Sequence, residues 1–414
     1  MSTAPERNIV IIGAGIIGCT TAYYLSHHPS YSASTTKITV LEASVRGAAQ
    51  GASGKAGGLV AKWAYPKELV SVSFPEHVRL AEQHNGVDRW GWRFVGCGSW
   101  EGGGEAIDSD DTGTGLDADG THKNLEKTLR LEGSREKKRS DVGLPDDLDW
   151  VNEQLTNSYS SMAPAGETAQ VHPYLFTTSM LDLAKEQGVG FVSGKASAVE
   201  IDKSTRTISG VKFTEPGGNN VQSIPATHVV IAAGVWSPKI LPALPIEGTR
   251  AHSITIKPSE KISPYVLFTE ITLPPSGSLK HVQQANPEIY ARPDNEVYCC
   301  GPGDNSAVPE TVDDVLVDPK ACESLRKSVS SISKQLREGV VDKRQACFLP
   351  VVSSGGGPII GEARNVAKGL VIATGHTCWG ICNAPGTAKA ISELIMDGNI
   401  TCADLRKLDP ARFL

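Results

Sequence analysis

The stretch that most constrains this 414-residue chain runs from Asn8 to Glu42. An apolar run, Ile9-Val10-Ile11-Ile12, leads straight into Gly13, Gly15 and Gly18. An Ala/Leu/Tyr segment of helical character follows, then a second apolar run, Ile38-Thr39-Val40-Leu41, ending in Glu42. Strand, tight turn, helix, second strand and terminal acid together form a dinucleotide-binding fingerprint in the context it requires. Gly13 permits the turn out of the strand. Gly15 has no side chain, so a pyrophosphate can approach the backbone where Ile16 and Ile17 open the helix. Gly18 lets helix and strand pack closely. The helix N-terminus offers N–H groups and a positive dipole end to a phosphate. Glu42, followed by Ala43, can accept hydrogen bonds from both hydroxyls of an adenosine ribose. Its charge disfavours a 2′-phosphate, so NADP is not expected. The bland alternative is a glycine-rich βα turn without a ligand.

The length suits two domains with an ample core. Apolar residues make up 40% and charged residues 21%, an ordinary globular balance. The net charge of −6, with no basic stripe, argues against a nucleic-acid partner. No apolar run reaches membrane-spanning length, and the segment ahead of Ile9 is short and polar. Neither a membrane span nor a secretory signal is expected, and the expected location is cytoplasmic. The nine cysteines are odd in number and scattered, with Cys19, Cys299 and Cys300 in apolar segments. They read as reduced, mostly buried thiols. Cys378 and Cys382 are one helical turn apart rather than spaced as a zinc knuckle, and His27-His28 reads as a loop pair without partner ligands. No metal site is expected.

Along the chain, the stretch after Glu42 is rich in small residues, among them Ser53, Gly54, Gly57 and Gly58, and can lie close to a flat or charged ligand. Residues 66–80 read as a helix. Trp90, Trp92 and Phe94 alternate as a strand or a buried aromatic patch. From Glu101 to about Pro145 the composition turns to Gly, Asp, Ser, Lys and Arg, which reads as a flexible surface insertion, partly helical around 123–131. An amphipathic helix follows within 170–187, then a strand and a β-meander. Val229-Val230-Ile231-Ala232 runs into Ala233-Gly234 as a second strand–turn–helix edge. Residues 252–301 hold short alternating strands suited to an antiparallel sheet. Residues 318–336 read as a helix. A strand over 369–373, a turn over 374–379 and a final helix from Gly380 or Ile381 close the chain.

Three segments, GAGIIG with Glu42, VVIAAGVWS, and the closing PIIG…GLVIATGHTCWGI, together resemble the D-amino acid oxidase superfamily of FAD-dependent oxidoreductases, which includes glycine oxidase and sarcosine oxidase. The closing segment looks most like an uncharacterised eukaryotic branch. The resemblance spans nearly the whole chain outside the insertion at 101–145. It implies an α/β fold, with an FAD-binding Rossmann-like domain of the glutathione-reductase type and a substrate domain on a mainly antiparallel sheet. The FAD domain would be assembled from 1–65, 170–250 and 344–414, and the substrate domain from 66–169 and 251–343. Carried over position by position, the family pattern puts the FAD pyrophosphate at Gly13, Gly15 and Gly18 and the ribose at Glu42. A flavin-side loop matches Ala52, Ser53, Gly54, Lys55, Gly57, Gly58 and Leu59, and a backbone contact to adenine matches Ala196. Ala232, Ala233, Gly234 and Trp236 match the middle segment. The flavin pyrimidine edge matches Gly375, His376, Thr377, Cys378, Trp379, Gly380 and Ile381, with the final helix directed at the atoms that gain charge on reduction. The implied activity is oxidation of a C–N bond in a small amine or amino acid by hydride transfer to flavin N5. The resulting imine then hydrolyses. The electron acceptor, oxygen or another, stays open.

The sequence departs from the family pattern at the substrate side. Amino acid oxidases of the family place an arginine before a proline to clamp the substrate carboxylate; here Leu349 precedes Pro350. Arg292, Arg344, Lys62 and His376 are the remaining candidate cations. Cys347 matches a cysteine that holds flavin covalently in sarcosine-type relatives, with a plain core thiol as the alternative. A lysine that promotes oxygen reactivity in some relatives aligns with Cys299. His376 either meets flavin or substrate or only bonds backbone. Trp63 and Trp379 are core residues or an aromatic wall for a cationic amine. Arg292, His376 and Cys347 are thus the expected catalytic positions. Two other readings stay open: an FAD-binding interaction module with little or no turnover, and a nicotinamide dehydrogenase.

Overall fold

The computed structural model describes residues 7–107, 138–275 and 282–414. The helix expected around 123–131 lies outside the described residues. The expected α/β class holds. A six-stranded sheet has the order Ile359–Glu362, Leu370–Thr374, His228–Ile231, Arg7–Ile12, Thr36–Glu42, Gly190–Ser193. All neighbours are parallel except the first pair. The strand Arg7–Ile12 lies inside the sheet and is buried on both faces. Side chains alternate across a strand. Ile9 and Ile11 pack into the helical layer, while Val10 and Ile12 pack against Ile208, Val211 and Phe213 of a three-stranded meander, 195–225. This two-sided burial explains the unbroken apolar run in the sequence.

The helical layer contains Ile16–Ser26, Lys67–Gln83, Pro173–Glu186 and Gly380–Asp397. Gly386 sits on the 67–83 helix so closely that a Cβ there would lie 2.5 Å from Ser73 Oγ. His77 Nε2–H donates to the carbonyls of Ile381 and Cys382 at 3.0 and 3.2 Å. The 67–83 helix therefore packs with the helical layer on the parallel sheet, on the other side of the expected boundary at 65/66.

The second large sheet has eight strands, and all of its pairings are antiparallel except Tyr265–Leu273 with Gly96–Gly103. Its path is Val340–Val352, Ile246–Lys257, Glu296–Asp304, Glu288–Arg292, Tyr265–Leu273, Gly96–Gly103, Thr156–Ser161, with Gln283–Ala285 beside Tyr265–Leu273. Two strands cross the expected limits at 250/251 and 343/344, because each is one continuous ladder (Ile246 opposite Val352 through Lys257 opposite Val340). The expected helix over 318–336 is instead two helices, Pro319–Ser330 and Lys334–Arg337, with Ser333 capping the second through its hydroxyl. The edges of the expected insertion are built into this half. Glu101–Gly103 ends a strand, and Leu144, Leu148 and Trp150 are buried with Trp100 against the sheet.

Alternation sorts the sheet faces here too. Ile289, Ala291, Val297 and Cys299 face the core under Pro319–Ser330, while Tyr290 and Tyr298 face the helical layer and the cavity described below. Among the described residues no helix is long and apolar enough to cross a membrane.

Phe176 is fully buried, 5.0 Å from the His77 ring and 5.4 Å from the Trp90 ring between centroids. Removing an aromatic side chain from such a site costs about 3–5 kcal/mol. Phe176→Ala should lower the urea midpoint accordingly; an unchanged midpoint would show that this ring does not anchor the helical layer.

Candidate functional site

The strand ends of the parallel sheet open into one cavity of about 600 Å³. Gly13 follows the first strand, Ala43 the second, Ala232 the strand at 228–231, and Gly375 the strand at 370–374; all four line it. This is the carboxyl edge where open α/β folds hold their ligands. Gly13 has φ +104°, and a Cβ there would lie 2.6 Å from Ala232 O. A Cβ on Gly18 would lie 1.9 Å from Gly13 O, so this glycine serves helix-to-strand packing and does not line the cavity. Gly15 lines it and caps the helix Ile16–Ser26 without a side chain; Ser53 Oγ accepts from Ile16 N–H at 2.8 Å.

Glu42 closes the turn from the neighbouring strand. Its Oε2 accepts from Ala14 N–H at 2.6 Å and its Oε1 from Ser44 N–H at 2.8 Å. Burial raises its pKa above the ordinary carboxylate value, while these backbone donors pull it back. Each oxygen keeps a further lone pair, so ribose hydroxyls fit beside the backbone donors. The nearby wall is Gly194 to Ser197, including Ala196, together with Ala233, Gly234 and Trp236. The bare glycine turn, the buried carboxylate and the long cavity suit a dinucleotide.

A segment missed in the sequence covers this end. Glu310, Thr311 and Val312 line the cavity. Glu310 pairs with Lys195 and, at 2.6 Å, with Lys239. Asp313 accepts from Ser44 Oγ, Val45 N–H and Arg46 Nε at 2.8, 3.0 and 2.9 Å. The residues after the strand Glu296–Asp304, NSAVPETVDD, carry nothing in sequence that signals what they cover.

Towards the other end run Ala52, Ser53, Lys55, Gly57, Gly58 and Leu59, all lining the cavity. Gly54 does not; a Cβ there would lie 2.0 Å from Ala49 O, so its role is to let the loop fold on itself. Lys55 Nζ donates to Ala346 O at 3.0 Å, and burial lowers its pKa. Cys347 lines the cavity beside it. Burial pushes this thiol up to about 11, with Lys55 pulling the other way, so it is protonated at neutral pH. The closing turn from Gly375 to Ile381 completes the wall, and the helix Gly380–Asp397 begins there without a side-chain cap.

None of the four candidate cations stands as a free charge at the cavity. Arg292 does not reach the cavity. It pairs with Glu296 at 2.7 Å, donates to Ala56 O, and lies 4.7 Å from the Tyr298 ring centroid. It positions the loop from Ala52 to Leu59 rather than meeting a ligand. His376 lines the cavity but is no cation: its Nε2 bonds Thr387 Oγ1 at 3.0 Å, and burial holds its pKa at about 3. Cys299 faces the opposite core, and Cys300, one residue on, is the lining thiol. Lys62 pairs loosely with Glu167 at 3.8 Å, Arg344 is exposed, and neither lines the cavity. His27 and His28 lie in the turn after the first helix, where they bond Tyr23 O and Asp397.

Phe268, Glu288, Tyr290 and Tyr298, not singled out in the sequence, line the sheet end with Cys300, which reads there only as a buried thiol. The register places Glu288 opposite both Phe268 and Cys300, and Tyr290 opposite Tyr298. Trp379 joins them, with Trp63 edge-on behind it at 5.6 Å. The alternation of EIYARPDNEVYCC carries this information once the core face is known.

Comparison with known proteins gives a match to the family "FAD dependent oxidoreductase" (DAO) over residues 8–394. The Saccharomyces cerevisiae protein TDA3, which bears an oxidoreductase name, is 35% identical over 98% of this chain and 94% of its own length. A similarly named Schizosaccharomyces pombe protein is 32% identical over 98% of each. Among solved structures, glycine oxidase from Bacillus cereus superposes with TM-score 0.68 at 19% identity, over 95% of each chain. L-proline dehydrogenase from P. horikoshii gives TM-score 0.69 at 17% identity, over 99% of this chain and 98% of its own. The two superpositions speak for the fold.

The buried histidines set a pH window. His77 and His376 have folded pKa values of about 4 and about 3, depressed first by burial, against an ordinary 6.5. Their neutral state therefore contributes stability that is complete above pH 6.5 and lost as pH falls towards the folded values. Ordinary carboxylates titrate below roughly pH 5, so the window between reports mainly histidine. The melting temperature should fall between pH 6.5 and 5, and His77→Gln should flatten that slope. A wild-type slope in the variant would exclude His77 as its source.

Proposed function

The chain belongs to the DAO family of FAD-dependent oxidoreductases, and from that premise we propose that it oxidises the C–N bond of a small amine or amino acid. The observation that carries this reading is the single cavity joining a dinucleotide cradle to an aromatic wall on the antiparallel sheet. Gly13, Gly15, Glu42 and Ala196 would hold the adenosine and pyrophosphate half of FAD. The loop from Ala52 to Leu59 and the turn from Gly375 to Ile381 would flank the isoalloxazine. FAD, when bound, supplies a two-electron acceptor.

The protein's share is binding and orientation. Tyr290, Tyr298, Phe268 and Trp379 would exclude water and fix the substrate carbon against the acceptor. The substrate carbon gives up a hydride, its nitrogen gives up a proton, and the imine left behind takes up water. The N-terminus of the helix Gly380–Asp397 would stabilise the charge that accumulates beside it. His376 stays neutral and takes no proton. We assign no side-chain base, because a neutral amine needs none. Cys300 rather than a lysine lines the sheet end, which leaves the electron acceptor open between oxygen and another molecule.

Purified protein should show flavin absorbance and release FAD on denaturation. Under anaerobic conditions, at least one compound in a panel of primary amines, secondary amines and amino acids should bleach that absorbance. Colour returning in air identifies oxygen as acceptor. Bound flavin that no compound in the panel bleaches would overturn the C–N reading in favour of an FAD-binding interaction module.

A further inference from the structure

The sheet end of the cavity carries a carboxylate where a binder of amino acids would need a cation. Glu288 lies on the cavity face of its strand, two residues before Tyr290, while Ile289 between them faces the opposite core. Its Oε2 accepts from the Tyr290 hydroxyl and lies 3.7 Å from Cys300 Sγ. Burial holds the Tyr290 phenol well above its ordinary pKa, so the hydroxyl keeps its proton and donates to Glu288. Among the described residues, Oε1 has no hydrogen-bond partner, and no lysine, arginine or histidine forms an ion pair with Glu288.

The other charges along the cavity are committed elsewhere. Lys195 and Lys239 are paired with Glu310 at the adenosine end, and Lys55 is held on Ala346 O. Arg292 is turned into its pair with Glu296. The walls around Glu288 are aromatic: Phe268 directly opposite, Tyr290 and Tyr298 with centroids 5.6 Å apart, and Trp379. Ring faces attract cations, and a carboxylate among them adds to that attraction. An anionic ligand here would face a like charge with no counter-ion.

We propose that Glu288 receives the substrate nitrogen in its positively charged form, which gives its proton to solvent before the neutral amine yields hydride, so that the enzyme selects amines and rejects free α-amino acids. This deepens the C–N oxidation reading and rests on it. Glu288 is thereby the residue that sets substrate class.

The test uses two probes that cannot be oxidised at a C–N bond to an imine: tetramethylammonium and acetate. Each is titrated into the FAD-loaded protein at constant ionic strength, with binding read from the flavin difference spectrum. Tetramethylammonium should bind at least tenfold tighter than acetate. Glu288→Gln should weaken tetramethylammonium at least tenfold, and Glu288→Asp should keep the cation preference. Acetate binding as tightly as tetramethylammonium in the wild type overturns the proposal, and that comparison stands without any variant. Unchanged tetramethylammonium affinity in a flavin-loaded Glu288→Gln protein overturns it equally. A cation preference with no bleaching by any amine would sustain Glu288 and sink the C–N reading. Bleaching by amino acids, with acetate preferred, would do the reverse.

Discussion

The buried carboxylate of Glu42 ties together the edges from which the site is built. It sits at the end of one strand and accepts the Ala14 N–H from the turn after the next. Gly13 in that turn donates to Leu41 O, and Ala232 donates to Ile12 O. Three parallel strands are thus fixed at their carboxyl ends by bonds shared across the turn. A buried carboxylate is costly unless backbone N–H groups satisfy it. Here two do, and the helix that follows starts where an anion can meet it. The closing turn at Gly375 and the loop from Ala52 to Leu59 are arranged around this fixed edge.

Much of this was legible in the sequence because it rests on local rules. A strand buried on both faces reads as an unbroken apolar run, and Arg7–Ile12 is one. Glycine positions follow from close approach, and Gly13 and Gly18 would each collide with backbone if they carried a Cβ. The start of the last helix at Gly380 was also readable, from a strand running into a turn. The substrate side was less so. Adjacent cysteines on one strand point to opposite faces, and both faces here are apolar, so sequence could not tell Cys299 from Cys300. Arg292 looked like a free cation, yet its partner Glu296 stands four residues on, across the turn at Pro293–Asn295. The neutrality of His376 depends on burial by other segments, which no local pattern reveals. Glu288 was passed over because its importance comes from its cross-strand neighbours.

The two ends of the cavity therefore differ in kind. The glycine-turn end is built from backbone, with glycines, helix starts and one acid, and its chemistry follows from fold geometry. The sheet end is built from side chains projecting from a ladder, where alternation and register decide what meets the ligand. One residue of slip would exchange Glu288, Tyr290 and Tyr298 for Ile289, Ala291 and Val297.

The segment Glu310–Asp314 joins the two ends as well. It follows the strand Glu296–Asp304 of the large sheet, yet it is bound to Ser44, Val45 and Arg46 beside Glu42 and to Lys195 and Lys239. It works as a clasp fastened mainly by surface charge. Such ties loosen when salt is raised, because exposed pairs are screened within about 10 Å at 0.1 M ionic strength. The hold of this segment on the site is thus sensitive to ionic strength, while the cradle beneath, made of backbone hydrogen bonds, is not.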